Sequence, residues 1–179
     1  MFSHGYRSDS MNSMVTSPHR SVAPSEGETI WFNGALITVK LPGEWSDDAF
    51  SLVEVSSTAG RATGLHTDPS HETFYVLDGE LLFHVDGEEH RAGPGATVSV
   101  RAGVPHAFLV ASDTARFLVL NTPGTHDRFF RDGGEPATDP SAPAPPPNLE
   151  RTMASAQQHG VRFLGPPPFE AAAVRQTSG

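Results

Sequence analysis

Short apolar runs alternate with turn-forming residues through the middle of the chain. Residues 49–57, AFSLVEVSS, alternate with a period of two, as a strand with one buried face does. The dipeptides Asp78-Gly79 and Asp86-Gly87 separate two such runs and are typical of tight turns. Similar runs occupy residues 28–41, 72–85, 96–103, 106–112 and 115–124. This spacing predicts six or more strands, and therefore an all-β sandwich or barrel.

The strand pattern ends at Gly124. The next segment, GTHDRFF, is typical of a short helix, whose His126 either closes one mouth of the barrel or takes part in docking. Residues 133–148 contain too many prolines for regular structure and predict an extended linker. Beyond the linker, Asn148 and Gly160 have the positions of a helix N-cap and a helix stop. The segment VRFLGPPPF then predicts a short extended tail.

These changes of character divide the chain into three parts. Residues 1–26 are polar and rich in serine, and we expect them to be flexible. Residues 27–124 form the predicted barrel, and residues 125–179 form a C-terminal extension made of the linker, one short helix and the tail. The extension is too small to fold alone, so we expect it to pack on its own barrel or on a second subunit of a homodimer.

Composition excludes several classes of function. The chain has 21 acidic and 12 basic residues, and it lacks the basic stripe that nucleic-acid binding requires. It contains no cysteine, which excludes disulfides, thiolate nucleophiles and zinc-thiolate sites. Its apolar stretches are far shorter than the roughly 20 residues that span a bilayer. We therefore expect a cytoplasmic protein that acts on a small molecule and binds neither nucleic acid nor membrane.

The segment before the strand at 72–78 is rich in potential metal ligands, which are His66, Asp68, His71 and Glu72. Such a segment is either a polar surface loop or a metal site. Glu72 lies on the same strand face as Phe74, and a carboxylate that faces a core must be paired or bound to a metal. His106 begins another core strand. Two imidazoles with one or two carboxylates suit a divalent first-row metal such as Fe, Mn, Ni, Cu or Zn.

At these residues the chain resembles the cupins. The first cupin motif matches Gly60, His66, Glu72 and Gly79, and the second motif is similar at Gly95, Gly103 and His106. The resemblance implies a double-stranded β-helix, a jelly-roll-like barrel of two sheets. The order of barrel, Arg-Phe-Phe segment, proline-rich linker and tail further resembles small single-barrel bacterial cupins of the quercetin dioxygenase-like group.

The chain departs from the cupin pattern at one ligand position, where Asp68 stands in place of a histidine. Three ligand sets remain open. Asp68 could supply a carboxylate oxygen, His71 could replace it, or the metal could keep only three protein ligands. Because strand alternation turns His71 away from Glu72, we favour His66, Glu72 and His106 with Asp68 as a weak fourth ligand.

The resemblance implies a metal-dependent oxygenase in which Glu72 acts as both ligand and base on an aromatic or enolisable substrate, with O2 as co-substrate. An apolar pocket suits such a substrate, and we expect it to be lined by Phe74, Val76, Phe108 and Leu118. The same residues would also serve a non-redox isomerase, dehydratase or cyclase. A third alternative is a barrel that has lost its metal and binds a small ligand. The sequence does not separate these functions.

Overall fold

The computed structural model describes residues 19–24 and 26–170. Most of the predicted flexible segment at 1–26, and the last nine residues, therefore lie outside the described residues. The described part of the chain forms two antiparallel sheets with a shared apolar core. No helix within it is long and apolar enough to cross a bilayer.

The first sheet has seven strands. Its strands are β1 (Glu28–Phe32), β2 (Ala35–Leu41), β3 (Ser51–Thr58), β5 (His71–Asp78), β8 (Thr97–Val100), β10 (Thr114–Thr122) and β11 (Glu135–Pro136). Their order is β11-β1-β2-β3-β10-β5-β8. A 3₁₀ turn at Gly43–Ser46 connects β2 to β3.

The second sheet has five strands and is the one that carries both predicted histidine ligands. Its strands are β4 (Leu65–Thr67), β6 (Leu81–Val85), β7 (Glu88–Ala92), β9 (His106–Val110) and β12 (Arg162–Gly165). Their order is β12-β4-β9-β6-β7. Two helices follow β10 in the chain, α1 (His126–Gly133) and α2 (Leu149–His159).

The two predicted turn dipeptides have different roles. Asp86 and Gly87 both have positive φ, 50° and 89°, and close the tight β6–β7 hairpin as expected. Gly79 also has positive φ, but Asp78-Gly79 links β5 of the first sheet to β6 of the second. This dipeptide is therefore a crossover between the sheets, which places the end of β5 beside the second sheet.

The core between the sheets is built by strand alternation. In β10 the buried side chains are those of Ala115, Phe117 and Val119, whereas the residues between them face outward. Aromatic rings from both sheets meet in the middle, with centroids 5.0 to 6.2 Å apart, in the cluster of Phe74, Phe83, Phe108 and Phe117. Such a cluster excludes water from the interior that surrounds the predicted ligands.

The C-terminal extension adds one strand to each sheet. β11 pairs with β1, and β12 pairs with β4 through the Phe163–His66 register. Between them, α2 packs on α1. The side chain of Asn148 accepts a hydrogen bond from the amide of Arg151, and Gly160 ends the helix with φ of 76°, so both predicted helix boundaries are confirmed. The extension packs on its own barrel.

Candidate functional site

The pairing of β4 with β9 brings two imidazoles together. His66 and His106 are Cα partners across these strands, and their ring centroids lie 4.3 Å apart. The Nδ1 of each ring lies 2.9 Å from a backbone carbonyl, that of Gly64 for His66 and that of Val104 for His106. Because a carbonyl only accepts, each Nδ1 is a donor, and Nε2 is the atom left for a ligand.

Glu72 enters the same group from β5 of the opposite sheet. Its carboxylate is buried, and Oε2 accepts a hydrogen bond of 2.7 Å from Nε2 of His106. Its Oε1 accepts a second hydrogen bond, of 3.3 Å, from the side-chain amide of Asn121. Burial raises the pKa of Glu72, but the hydrogen bond from His106 and the charges of His126 and His106 outweigh it and lower the pKa to about 2. Glu72 is therefore ionised at neutral pH.

The two histidines of the group differ in their protonation. Burial and the charge of His106 lower the pKa of His66, so its ring is neutral near pH 7. Burial would also lower the pKa of His106, but the hydrogen bond to Glu72 raises it above 6.5. His106 therefore carries the proton of this hydrogen bond and donates it to the ionised Glu72 at the centre of the group.

These three residues have the donor set that a metal requires. One ligand atom from each of His66, Glu72 and His106 lies within 4.8 Å of the other two. Two imidazole nitrogens and one carboxylate oxygen suit divalent first-row metals, and backbone carbonyls already orient both rings for ligation. The sequence-predicted set thus lies together in one buried place, and it fits a metal ion.

Asp68 is buried but is turned toward α1. Its Oδ1 accepts a hydrogen bond of 2.7 Å from the amide of Ser70, and its Oδ2 lies 2.7 Å from Nδ1 of His126. The second contact is an ion pair rather than an aligned hydrogen bond, so Oδ2 has no hydrogen-bond donor among the described residues. Asp68, Glu72 and His126 form a second group of possible ligands, separate from His66 and His106.

His126 itself lies in the wall of the cavity, at the start of α1. Its ring packs against those of Phe129 and Phe130, with centroids 5.1 and 4.9 Å away. Burial would lower the pKa of His126, but the contact with Asp68 and the charge of that carboxylate raise it above 6.5. The sequence interpretation of His126 as a mouth-closing or docking residue missed its contact with Asp68.

The structure does not bring His71 to the site. The side chain is exposed, and its Nδ1 accepts a 3.4 Å hydrogen bond from the amide of Ala102 on the outer side of the sheet. The alternative ligand set that includes His71 is therefore inconsistent with the structure. The reason is strand alternation, since His71 and Glu72 are neighbours on β5 and face opposite sides.

A cavity of about 680 Å³ opens beside the ligand groups. Phe74 and Phe108 line it, as predicted from the sequence. Leu118 does not, because it lies on the outer face of β10 beside Tyr75, and its neighbours Phe117 and Val119 face the cavity instead. The prediction for Leu118 was wrong by one residue, because the odd-numbered residues of β10 face the interior and Leu118 lies between two of them.

Val76 was also predicted to line the cavity and does not. It is fully buried in the core behind the cavity wall. Toward the mouth, the cavity is lined by the C-terminal extension, with Leu149, Met153, Phe163 and Pro166. The lining is therefore mainly apolar, and its polar residues are the ligand groups together with a few others, among them Asn33, Arg61 and Thr152.

Asn121 was missed by the sequence interpretation, although a signal for it exists. It shares the buried face of β10 with Phe117 and Val119, where a polar residue needs a partner, and that partner is Glu72. The pairing of His126 with Asp68 had no such signal, because it depends on where α1 docks.

Comparison with known proteins agrees with this architecture. The Cupin_2 family, described as a cupin domain, matches residues 53–121. Quercetin 2,3-dioxygenase of Bacillus subtilis (strain 168) is 31% identical over 112 residues, which cover 62% of this chain and 33% of that protein. The chain therefore spans about a third of the length of this curated relative.

Solved structures share the two-sheet fold. A predicted oxalate decarboxylase from Thermotoga maritima superposes with a TM-score of 0.53 and 20% identity, covering 58% of this chain and 99% of that one. An RmlC-like cupin from Shewanella frigidimarina gives a TM-score of 0.52 and 17% identity, covering 61% and 96%. These likenesses confirm the predicted fold class. Residues 53–121 therefore match a cupin domain, and the two-sheet fold of the chain is the fold of these superposed structures.

Proposed function

We propose that the protein is a metal-dependent dioxygenase that acts on an aromatic or enolisable small molecule. The observation that carries the proposal is the position of His66, Glu72 and His106 in the wall of an apolar, aromatic-lined cavity. A divalent first-row transition metal held by these residues would polarise a substrate oxygen and, if redox-active, could pass electrons from the substrate to O2. The donor set does not determine which metal is bound.

Glu72 is the base in this proposal. In the metal-free protein its carboxylate is ionised and is held by His106 and Asn121. The hydrogen bond from His106 is the main interaction that lowers its pKa, and it is lost when His106 is neutral and uses Nε2 as a ligand atom. A metal would lower the pKa of a bound substrate hydroxyl, so that the carboxylate beside it could take the proton, while Asn121 keeps the carboxylate oriented.

The cavity favours a flat substrate. Phe74, Phe108 and Phe117 present their rings beside the ligand group, and the volume of about 680 Å³ is in the range of sites for drug-sized molecules. Aromatic walls of this kind pack against a planar ring and keep water away from the reacting atoms. The 31% identity to a quercetin 2,3-dioxygenase further supports an aromatic substrate.

The decisive experiment measures O2 consumption with quercetin as the first probe. Metal-free protein is loaded anaerobically with Fe²⁺, Mn²⁺, Ni²⁺, Cu²⁺ or Zn²⁺, and O2 uptake is followed after quercetin is added. We expect uptake with at least one redox-active metal and none with Zn²⁺. His106→Ala is the matched variant and should remove the activity.

Two outcomes would contradict the dioxygenase proposal. Anaerobic conversion of an enolisable substrate by the Zn²⁺-loaded protein would favour an isomerase, dehydratase or cyclase that uses the same residues. Tight binding of an aromatic ligand by metal-free protein, with no turnover under any loading, would favour a small-ligand-binding barrel.

A further inference from the structure

A second group of buried ionisable side chains touches the first one at Glu72. It consists of Asp68, Glu72 and His126, and all three side chains are at least 94% buried. Nε2 of His126 lies 3.9 Å from Oε1 of Glu72, which is too far for a hydrogen bond. The oxidation chemistry proposed above uses Glu72 but neither Asp68 nor His126.

Most of the polar atoms in the second group are already engaged. Oδ1 of Asp68 accepts from the amide of Ser70, and Oδ2 faces Nδ1 of His126. The atom of His126 that remains is Nε2, on the side of Glu72. Since a carboxylate that faces Nδ1 favours a proton there, Nε2 of the neutral ring carries the lone pair.

The distance between His126 and Glu72 is compatible with ligation of one metal ion by both side chains. Two ligand atoms that are each about 2.1 Å from an ion can lie at most about 4.2 Å apart. The 3.9 Å between Nε2 of His126 and Oε1 of Glu72 is within this limit. Because His126 lies in a different group from His66 and His106, an inward shift of its ring is needed to complete the set.

We propose that His126 is a further ligand of the metal held by His66, Glu72 and His106, and that Asp68 positions its ring instead of ligating. This inference rests on the metal site of the proposed function. The ion would then be held by three imidazoles and one carboxylate, with the third imidazole supplied by the helix that follows the barrel.

Charge supports the assignment. Asp68 and Glu72 are two buried carboxylates, and no Lys or Arg of the described residues pairs with either of them. Buried carboxylates need compensating positive charge, and one divalent ion among three neutral imidazoles balances both. A carboxylate behind a ligating imidazole is also the usual arrangement that fixes the tautomer and orientation of the ring.

A separate second ion in the Asp68 group is less consistent with these contacts. Once Asp68 is engaged with Ser70 and His126, the group offers only Nε2 of His126 and one oxygen of Glu72. Two protein ligands are fewer than the three that metal sites in proteins generally keep. We therefore expect one ion for each chain.

The test counts imidazoles on a bound metal. Tag-free protein is loaded with one equivalent of Cu²⁺, and pulsed EPR measures the number of coupled imidazole nitrogens. We expect three imidazoles in the wild type and two in His126→Gln, which keeps a polar side chain next to Asp68. His159→Gln is the matched control, because His159 is another helical histidine paired with an aspartate, Asp132, outside the cavity. The His159→Gln variant should keep three coupled imidazoles.

Affinity gives the second readout. Asp68→Asn should retain three imidazoles but weaken Cu²⁺ binding by about 10–100-fold, as loss of a carboxylate behind a ligating histidine typically does. A wild-type spectrum with two imidazoles, an unchanged spectrum in His126→Gln, or two ions for each chain would overturn the inference. Persistence of metal binding in His66→Ala would instead show that the metal site of the proposed function is wrong.

Discussion

His66 and His106 are register partners of two neighbouring strands, and the pairing of β4 with β9 sets the 4.3 Å distance between their rings. A slip of one residue in this pairing would turn one imidazole to the other face of the sheet, and a slip of two would separate the rings. The geometry of the candidate metal group therefore depends on the register of β4, a strand of three residues.

The first prediction concerns metal content. Replacement of His66 or His106 by alanine should remove bound metal and leave a folded protein, because each variant removes one of three clustered ligand atoms. Elemental analysis after loading and dialysis measures the metal-to-protein ratio, and circular dichroism checks the fold. His71→Ala, on the exposed side of β5, is the control and should retain the metal. Full occupancy in His106→Ala would show that the site is wrongly assigned.

The second prediction separates the two roles of Glu72. Because Gln preserves the shape of the side chain but cannot act as a base, Glu72→Gln should reduce turnover by about 10²–10⁴-fold. Its metal content should fall much less. Steady-state kinetics and elemental analysis on the same preparation give the two values. Equal losses of metal and turnover would limit Glu72 to the role of a ligand, and the exposed Glu89→Gln should change neither.

The third prediction concerns pH. The pKa of His106 is raised above 6.5 by its hydrogen bond with Glu72, so below that raised pKa a proton occupies the nitrogen that the metal needs. Metal affinity should therefore rise as pH increases through this pKa, and binding near pH 7 should release protons. Calorimetry in buffers of different ionisation enthalpy measures the released protons directly. Binding without proton release at about pH 6–7 would contradict this assignment.

The fourth prediction concerns the C-terminal extension. Truncation after Gly134 removes β11, α2 and β12, and with them one of the two strand partners of β1 and of β4. It also exposes the buried residue Phe129, which clusters with Ala156 and Val161. We expect a lower free energy of unfolding and a tendency to aggregate. Truncation after Glu170 keeps every described strand and helix and should leave stability unchanged; equal stability of the two truncated forms would mean that the extension does not support the barrel.

The homodimer stays a prediction. Strands β7 and β8 lie at the edges of the two sheets, and open edges of this kind favour pairing between subunits. Light scattering gives the mass in solution, and a monomeric mass at all concentrations would contradict the prediction.

The fifth prediction tests a close backbone approach next to β10. A Cβ on Gly124 would overlap the backbone of Phe50, whereas a Cβ on Gly93 would find no atom within 4 Å. Gly124→Ala should therefore lower the free energy of unfolding by about 1–3 kcal/mol through forced backbone shifts. Gly93→Ala should stay within about 0.5 kcal/mol of the wild type. Urea unfolding measures both, and similar stabilities would refute the close approach.

The sequence predicted the parts of the site that depend on local periodicity. His66, Glu72 and His106 lie at or near strand starts, where alternation decides which face a side chain takes. Leu118 was misplaced by the same criterion, because an almost continuous apolar run hides which parity is buried. Asn121 could have been found as the polar residue on the buried face of β10.

Contacts between distant segments could not be predicted. The pairing of His126 with Asp68 depends on how α1 docks after the barrel is built, and no periodicity in either segment encodes that docking. The same holds for β12, whose addition to β4 is a long-range pairing. The crossover at Asp78-Gly79 was similarly hidden, because a hairpin and a crossover use the same turn residues.

The addition of β12 to β4 has a consequence for synthesis on the ribosome. Phe163, the register partner of His66, is translated roughly 5–20 s after it at about 5–20 residues per second. During this interval the nascent chain carries the ligand strand with its outer edge unpaired. The outer edge of the ligand strand is therefore covered late in synthesis, long after the three residues of the metal group have been translated.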